Sequence, residues 1–213
     1  MNESADDLKQ HPLRSKTQKL TGVALFAALA IVLNFLIKIP APYAPFLFYE
    51  VWEIPIVAVL LLFGIYVAVS VSLINTVVLL LVFPGALPTG PFYNLAAVLV
   101  TLAAVVVGHS LGRKLNLRSR YLMLIATVLA VIVRTAGMSV FNFLLLPLSP
   151  PIGFDYPVAS VVAVLPLIAF FNASVVLYSV PLGYAVVRGV AARFRFSPAF
   201  PLAQKVPKLA QKV

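Results

Sequence analysis

A long apolar stretch with few charges runs from Thr21 to Val187. The 213 residues are 62% hydrophobic and 10% charged, with a mean hydropathy of +1.05, whereas a soluble domain is about 25% charged. A hydrocarbon core about 30 Å thick takes roughly 20 apolar residues per helix, so this stretch has room for five or six crossings. We therefore expect an all-α integral membrane protein with one compact domain and no separate soluble catalytic domain.

Glycine and basic residues divide the apolar stretch into helices. The run from Phe46 to Phe83 is too long for one crossing, and it is split near Gly64 so that the basic segment 113–120 falls on the same side as the basic N-terminus. With that split, 14 of the 16 Lys and Arg residues lie on one side, which the positive-inside rule assigns to the cytoplasm. The predicted helices cover 21–38, 48–64, 66–83, 92–112, 121–147 and 158–189.

These bounds predict a multi-pass protein of the plasma membrane with six transmembrane helices and both termini cytoplasmic. We expect residues 1–20 to form a cytoplasmic tail, 21–189 the six-helix transmembrane domain, and 190–213 a basic cytoplasmic tail that can lie against lipid headgroups. The connections on the other side are rich in proline, beginning with Ile39–Pro45, which we expect to be a rigid loop. Stiff outer loops suit the capture of a ligand, although prolines also simply end helices.

Residues that could carry enzyme chemistry are sparse. The chain has no cysteine, which excludes disulfides, thiolate metal sites and cysteine nucleophiles. Glu50 and Glu53 are the only carboxylates between Asp7 and Asp155, and no metal-ligand cluster, Ser–His–Asp order or phosphate loop is present. We expect no catalytic residues, no metal and no resident cofactor. The net charge is +10, but the basic residues flank apolar segments, so no nucleic-acid partner is expected.

Uncharged hydrogen-bonding side chains occur near the outer ends of three predicted helices: Asn94, Asn142 and Asn172. An amide without a partner in hydrocarbon costs several kcal/mol, so each should face the interior of the bundle. Each could bond a neighbouring helix or a ligand. Nearby aromatic residues, Phe48, Tyr49 and Tyr93 among them, favour a pocket for a flat heteroaromatic molecule with apolar faces and hydrogen-bonding edges.

Two charged residues and one small-residue face leave alternatives open. Glu53 precedes Ile54-Pro55 at a helix start, where a carboxylate complements the helix dipole. Arg134 lies at membrane depth on roughly the same side as Asn142, where it could reach an anionic ligand group or serve a structural hydrogen bond. Ala24 and Ala28 form a face for close helix approach, either to a partner or within the bundle.

The order of these segments resembles the substrate-binding S components of energy-coupling-factor (ECF) vitamin transporters, and within them the riboflavin-binding branch. The matching elements are the Ala24/Ala28 face, Phe48 to Pro55, Thr89-Gly-Pro-Phe-Tyr-Asn94, Met138 to Pro147 and Pro166 to Asn172. The resemblance implies a subunit that binds riboflavin near the outer face, with Thr89 among the ligand contacts. It also implies partners, a membrane coupling subunit and two ATPases, which Ala24 and Ala28 would help to dock.

One position departs from the resembled pattern. The riboflavin branch usually has a lysine three residues after the asparagine matched by Asn172, and this chain has Val175 there. Either the ribityl chain is held differently, or the ligand is another vitamin or a flavin relative. Val175 itself either faces the ligand region or faces lipid. A self-sufficient secondary carrier is the remaining alternative, against which stands the scarcity of titratable groups inside the bundle.

Overall fold

The computed structural model describes residues 16–82, 89–194 and 198–202 of the chain. Within these residues there are six helices and one hairpin, and five of the helices are long and apolar enough to cross a membrane. A helical membrane protein is thereby confirmed. In chain order the elements are α1 Lys16–Leu36, β1 Ile39–Ala41, β2 Ala44–Tyr49, α2 Glu53–Phe63, α3 Ile65–Val82, α4 Thr89–Lys114, α5 Ser119–Leu145 and α6 Val158–Phe194.

The predicted bounds differ from the observed ones mainly at the ends of the chain. Helix α1 begins five residues before the predicted start, and α6 continues past position 189 into the predicted C-terminal tail. Most of the predicted tails, 1–20 and 190–213, and the proline-rich connection at 84–88 lie outside the described residues.

A β-hairpin occupies the segment predicted as a rigid loop and as the start of the second helix. Strands β1 and β2 pair antiparallel, with Ile39 opposite Tyr49 and Pro40 opposite Phe48. Prolines are tolerated because each strand of a two-stranded hairpin has one edge without a ladder partner, and the aromatic residues of β2 favour extended backbone. The prediction of helix at 48–52 is therefore wrong, and α2 begins only at Glu53, with Pro55 in its first turn.

The predicted division near Gly64 is confirmed. Gly64 has a φ of 98°, a conformation that glycine adopts without strain, and α3 begins at the next residue. Helix α2 has only 11 residues, too few to cross a membrane alone. Glu53 and residues 55–62 are all buried, so α2 forms the centre of the core and the longer helices surround it.

The bundle has two chemically different ends. At the basic end, the Arg188 guanidinium near the end of α6 donates to Ser119 Oγ at the start of α5 over 3.1 Å, and Gly22 of α1 lies against the Phe63 ring at the end of α2. The opposite end, here called the proline-rich end, carries the hairpin and the start of α6. The start of α1 and the end of α6 therefore both lie at the basic end. The placement of this basic end on the cytoplasmic side stays a prediction from charge.

Candidate functional site

A cavity of about 450 Å³ lies at the proline-rich end of the bundle. This volume is within the range of small-molecule sites, roughly 300–1,000 Å³. The hairpin and the ends of α1, α3, α4, α5 and α6 all contribute to its wall, together with the α5–α6 connection. The lining residues are Asn34, Lys38, Phe46, Leu47, Phe48, Glu50, Leu79, Leu80, Gly90, Pro91, Tyr93, Asn94, Asn142, Leu146, Phe154, Tyr156, Val164, Ile168 and Phe171.

Aromatic rings make up much of the apolar wall. The hairpin supplies Phe46 and Phe48, and α4 supplies Tyr93. The Tyr93 ring is held edge-on by Phe141, with ring centroids 5.0 Å apart, and by Phe154 at 6.2 Å. Edge-to-face contacts of this kind favour a fixed ring orientation. The cavity can therefore offer prearranged apolar surface to a flat molecule.

Three polar side chains in this wall are suited to hydrogen-bond a ligand. Asn142 Nδ2 donates to the Met138 carbonyl of its own helix over 2.7 Å, which leaves the amide oxygen for a donor on a ligand. Asn94 also lines the cavity. The buried Tyr93 hydroxyl has no hydrogen-bond partner within the described residues. Buried polar atoms are normally satisfied, so this hydroxyl is suited to a hydrogen bond with a ligand in the cavity.

The charges of the cavity wall are paired. Lys38 Nζ lies 3.6 Å from Glu50 Oε1, and Trp52 Nε1 donates to Glu50 Oε2 over 2.7 Å. Burial raises the pKa of the Glu50 carboxyl above its usual range, while the Trp52 hydrogen bond and the Lys38 charge oppose that shift. One cation beside one anion leaves the wall without a net charge when both are ionised. An uncharged ligand therefore suits the cavity better than a strongly anionic one.

A buried ionic network lies deeper in the bundle, on the basic-end side of the cavity. Arg134 donates Nη1 and Nη2 to the two carboxylate oxygens of Glu53, at 2.5 and 2.9 Å. Its Nε donates to Asn172 Oδ1 over 2.9 Å, and Nη1 also reaches Thr101 Oγ1 at 3.2 Å. All four side chains are buried. The network thus joins α2, α4, α5 and α6 through one guanidinium.

This network determines the position of three predicted residues. Arg134 binds a carboxylate of the protein, and Glu53 is its partner as well as the first residue of α2. Asn172 accepts from Arg134 and donates Nδ2 to the Ile168 carbonyl over 2.9 Å, and it does not line the cavity.

Val175, one turn further along α6, is only 3% exposed. It therefore faces the protein, and the alternative that it faces lipid is wrong.

The other predicted ligand residues divide into two groups. Phe48, Tyr93, Asn94 and Asn142 line the cavity together. Tyr49 instead hydrogen-bonds Ser174 of α6 through its hydroxyl at 2.7 Å. Thr89 donates Oγ1 to the Pro151 carbonyl over 2.9 Å, which fixes the start of α4 on the α5–α6 connection. The structure therefore brings four of these residues to the cavity, while Tyr49 and Thr89 hold its surroundings in place.

The predicted docking face on α1 points away from the bundle. Ala24 and Ala28 are exposed, whereas Ala27 and Ala30 of the same helix are buried in the core. Internal packing thus uses the second pair of alanines. The face formed by Ala24 and Ala28 is available to lipid or to another protein.

Sequence reasoning missed several cavity residues, chiefly Asn34 and Lys38. Asn34 is a buried amide in an apolar helix, and its Nδ2 donates to Asn75 Oδ1 of α3 over 3.3 Å. Lys38 is the only basic residue on the predicted outer side, since Arg134 lies within a predicted helix and the other 14 lie on the predicted cytoplasmic side. Both could have been found from the sequence, because a lone amide inside an apolar helix and a lone cation among outer prolines need local partners.

Comparison with known proteins identifies the fold. A solved structure of the S component of a bacterial ECF transporter superposes with a TM-score of 0.66, over 84% of this chain and 98% of that chain, at 23% sequence identity. No protein-family model and no curated protein matches the sequence. The chain therefore has the fold of that S component, and the resemblance seen in the sequence motifs is confirmed at the level of the fold.

Proposed function

We propose that this chain is the substrate-capture subunit of an ECF-type vitamin importer of the plasma membrane, and that riboflavin is its ligand. The cavity carries this proposal, because it has the volume of a small-molecule site and lies at the predicted outer end of a chain with the S-component fold. Aromatic residues offer faces for a tricyclic ring, and amides offer partners for its polar edge and side chain. The chain itself would be no enzyme; a membrane coupling subunit and two ATPases would supply the energy.

The paired charges favour this proposal over a self-sufficient secondary carrier. A carrier driven by ions or protons needs ionisable groups that can change partner inside the membrane. In the described part of the bundle, Arg134 and Glu53 satisfy one another directly. Proteoliposomes that contain only this chain should therefore bind riboflavin without accumulating it. Accumulation under an ion gradient would establish the carrier instead.

Val175 bears on the choice of vitamin. The residue is buried at the position where the resembled branch has a lysine, and on the neighbouring helix Arg134 places a guanidinium against Asn172. A cation is thus present in this region although it comes from α5. The alternative is an S component for another vitamin or a flavin relative with a different polar chain.

The most direct test is the absorption spectrum of the purified chain. A flavin held in the cavity during purification would give the yellow isoalloxazine bands, and denaturation would release riboflavin for identification by mass. A colourless preparation that also fails to bind added riboflavin in calorimetry would exclude riboflavin. The same titration with other vitamins would then identify the ligand class.

Asn142→Leu and Asn172→Leu should both weaken riboflavin binding, but for different reasons. Loss of a partner from a desolvated hydrogen bond costs about 1–3 kcal/mol, or roughly 5- to 150-fold in Kd. Asn142 lines the cavity, so its loss should leave the melting temperature near that of the wild type. Asn172 accepts from Arg134, so its loss should also lower the melting temperature. Calorimetric titration and melting curves in detergent measure the two effects.

The exposed Phe143, next to Asn142 on α5, provides a matched control. Phe143→Leu should change neither binding nor melting. If Asn142→Leu keeps the wild-type Kd, its amide serves only the structure and the ligand contacts lie elsewhere in the cavity.

A further inference from the structure

The chain turns back on the bundle after α6. Residues 198–202, Pro-Ala-Phe-Pro-Leu, here called the strap, run beneath the end of α2. The backbone N–H of Ala199 donates to the Leu62 carbonyl and that of Phe200 to the Leu61 carbonyl, each over 3.0 Å. The last carbonyls of a helix have no partner within it, and in a membrane protein an unsatisfied one costs several kcal/mol. The strap supplies the missing donors.

The sequence of the strap suits this task. Pro198 and Pro201 have no backbone N–H, so Ala199 and Phe200 are the only amide donors among residues 198–201, and both are used. Proline fixes its own φ, and the residue before a proline is restricted to extended backbone. The two prolines thus leave the free segment fewer conformations to lose, which lowers the entropy cost of docking.

Side chains anchor the strap to α4 and to the main core. The Phe200 ring meets His109 of α4 edge-on, with ring centroids 5.4 Å apart, and the Tyr184 hydroxyl of α6 lies 2.8 Å from His109 Nδ1. Phe200 and Leu202 pack against the main core, and Ala199 lies next to Gly64 at the end of α2. The strap thus occupies a formed site at the basic end and does not merely follow α6.

Helix α2 connects this site to the cavity. It is about 16 Å long, and its first residue, Glu53, holds Arg134 and through it Asn172. Three residues earlier, Glu50 lines the cavity and accepts from the Trp52 indole. A short buried helix moves as a rigid body, so a shift at Leu61 and Leu62 displaces Glu53 as well.

We propose that the strap is a latch: when docked, it holds α2 in the position that gives the cavity its ligand-binding shape, and when released it lowers the affinity for the ligand. The coupling to affinity rests on the proposed capture function. The two states are an attached and a detached strap, and the element they bias is α2.

The test uses the full chain with Ala199→Pro, which removes one donor, and Ala199→Ser, which keeps it, as the matched control. In the wild type and Ala199→Ser, hydrogen exchange of the amides at 199 and 200 should be at least about tenfold slower than in an unstructured peptide. In Ala199→Pro the Phe200 amide should lose this protection. Exchange at the unstructured rate in the wild type would overturn the latch.

Coupling is read in two ways. Riboflavin Kd should rise by about 5- to 150-fold in Ala199→Pro relative to Ala199→Ser. Independently of any ligand, the emission of Trp52, the only tryptophan of the chain, should shift between the two variants. Phe200→Leu keeps the amide and should give a smaller change of the same sign. A protected strap whose loss leaves the Trp52 emission and the Kd unchanged would overturn the coupling, whereas failure of the wild type to bind riboflavin would overturn the ligand assignment alone.

Discussion

Replacing Arg134 with methionine is expected to destabilise the fold by about 3–5 kcal/mol, because it leaves the Glu53 carboxylate buried without its partner. Asn172 and Thr101 would lose a donor at the same time. Thermal or denaturant melting of the purified variant in detergent measures the change. Riboflavin binding should fall with it, since α6 lines the cavity and Asn172 of that helix depends on this guanidinium.

The double variant Arg134→Met, Glu53→Gln separates the lost pair from the orphaned charge. With no carboxylate left unpaired, most of the stability lost in Arg134→Met should return, since replacing both partners of a buried ion pair costs far less than removing one. A single Arg134→Met variant that melts like the wild type would show that the ion pair does not hold the helices together.

Enlarging both Ala24 and Ala28 to leucine is expected to abolish uptake while leaving the ligand affinity unchanged. Both alanines are exposed, so larger side chains meet no neighbour within the bundle. A partner helix, however, can approach α1 closely only while this face stays small. Uptake assays in cells that carry the coupling subunit and ATPases, together with calorimetry on the purified chain, test the two halves of this expectation.

The matched control is Ala103→Leu with Ala136→Leu, which enlarges exposed alanines on α4 and α5. This variant should transport at the wild-type rate. If the α1 variant still transports, the face does not dock the coupling subunit. If it loses ligand binding as well, α1 packs against the cavity differently and its surface is not a docking site.

The helices were largely predictable, whereas the hairpin was not. Long apolar runs with basic flanks predicted the helices, and the charge distribution together with the glycine predicted the division of α2 from α3 at Gly64. The hairpin was missed because its strands have only three and six residues, and a short apolar run beside prolines looks the same as a loop followed by a helix start. What specifies it is the pairing of Ile39 with Tyr49, a contact that local periodicity does not encode.

Site residues were predictable where the residue type alone determines the position of the side chain. They were not predictable where a partner on another helix determines it. Asn142 was predicted because a polar group at the end of an apolar helix must face the interior, and Tyr93 was predicted as an aromatic residue near these amides. Both line the cavity. Asn172 shows the same signal, yet its oxygen binds Arg134, which is 38 residues away on another helix. No spacing rule relates those two positions. The sequence therefore predicted that Asn172 faces the interior, but it predicted neither the partner of this residue nor its depth.

The shortness of α2 has a consequence for biosynthesis. With 11 residues it cannot span the bilayer, and its first carboxylate meets its cation only when Arg134, 81 residues later, has been made. An isolated α2 presented to the insertion machinery therefore lacks both length and charge compensation. We expect α2 to enter the membrane together with α3 as a helical hairpin and to reach its central position only after α5 and α6 have been synthesised. In ribosome-bound chains that end before Arg134, α2 should accordingly not yet be fixed in its central position.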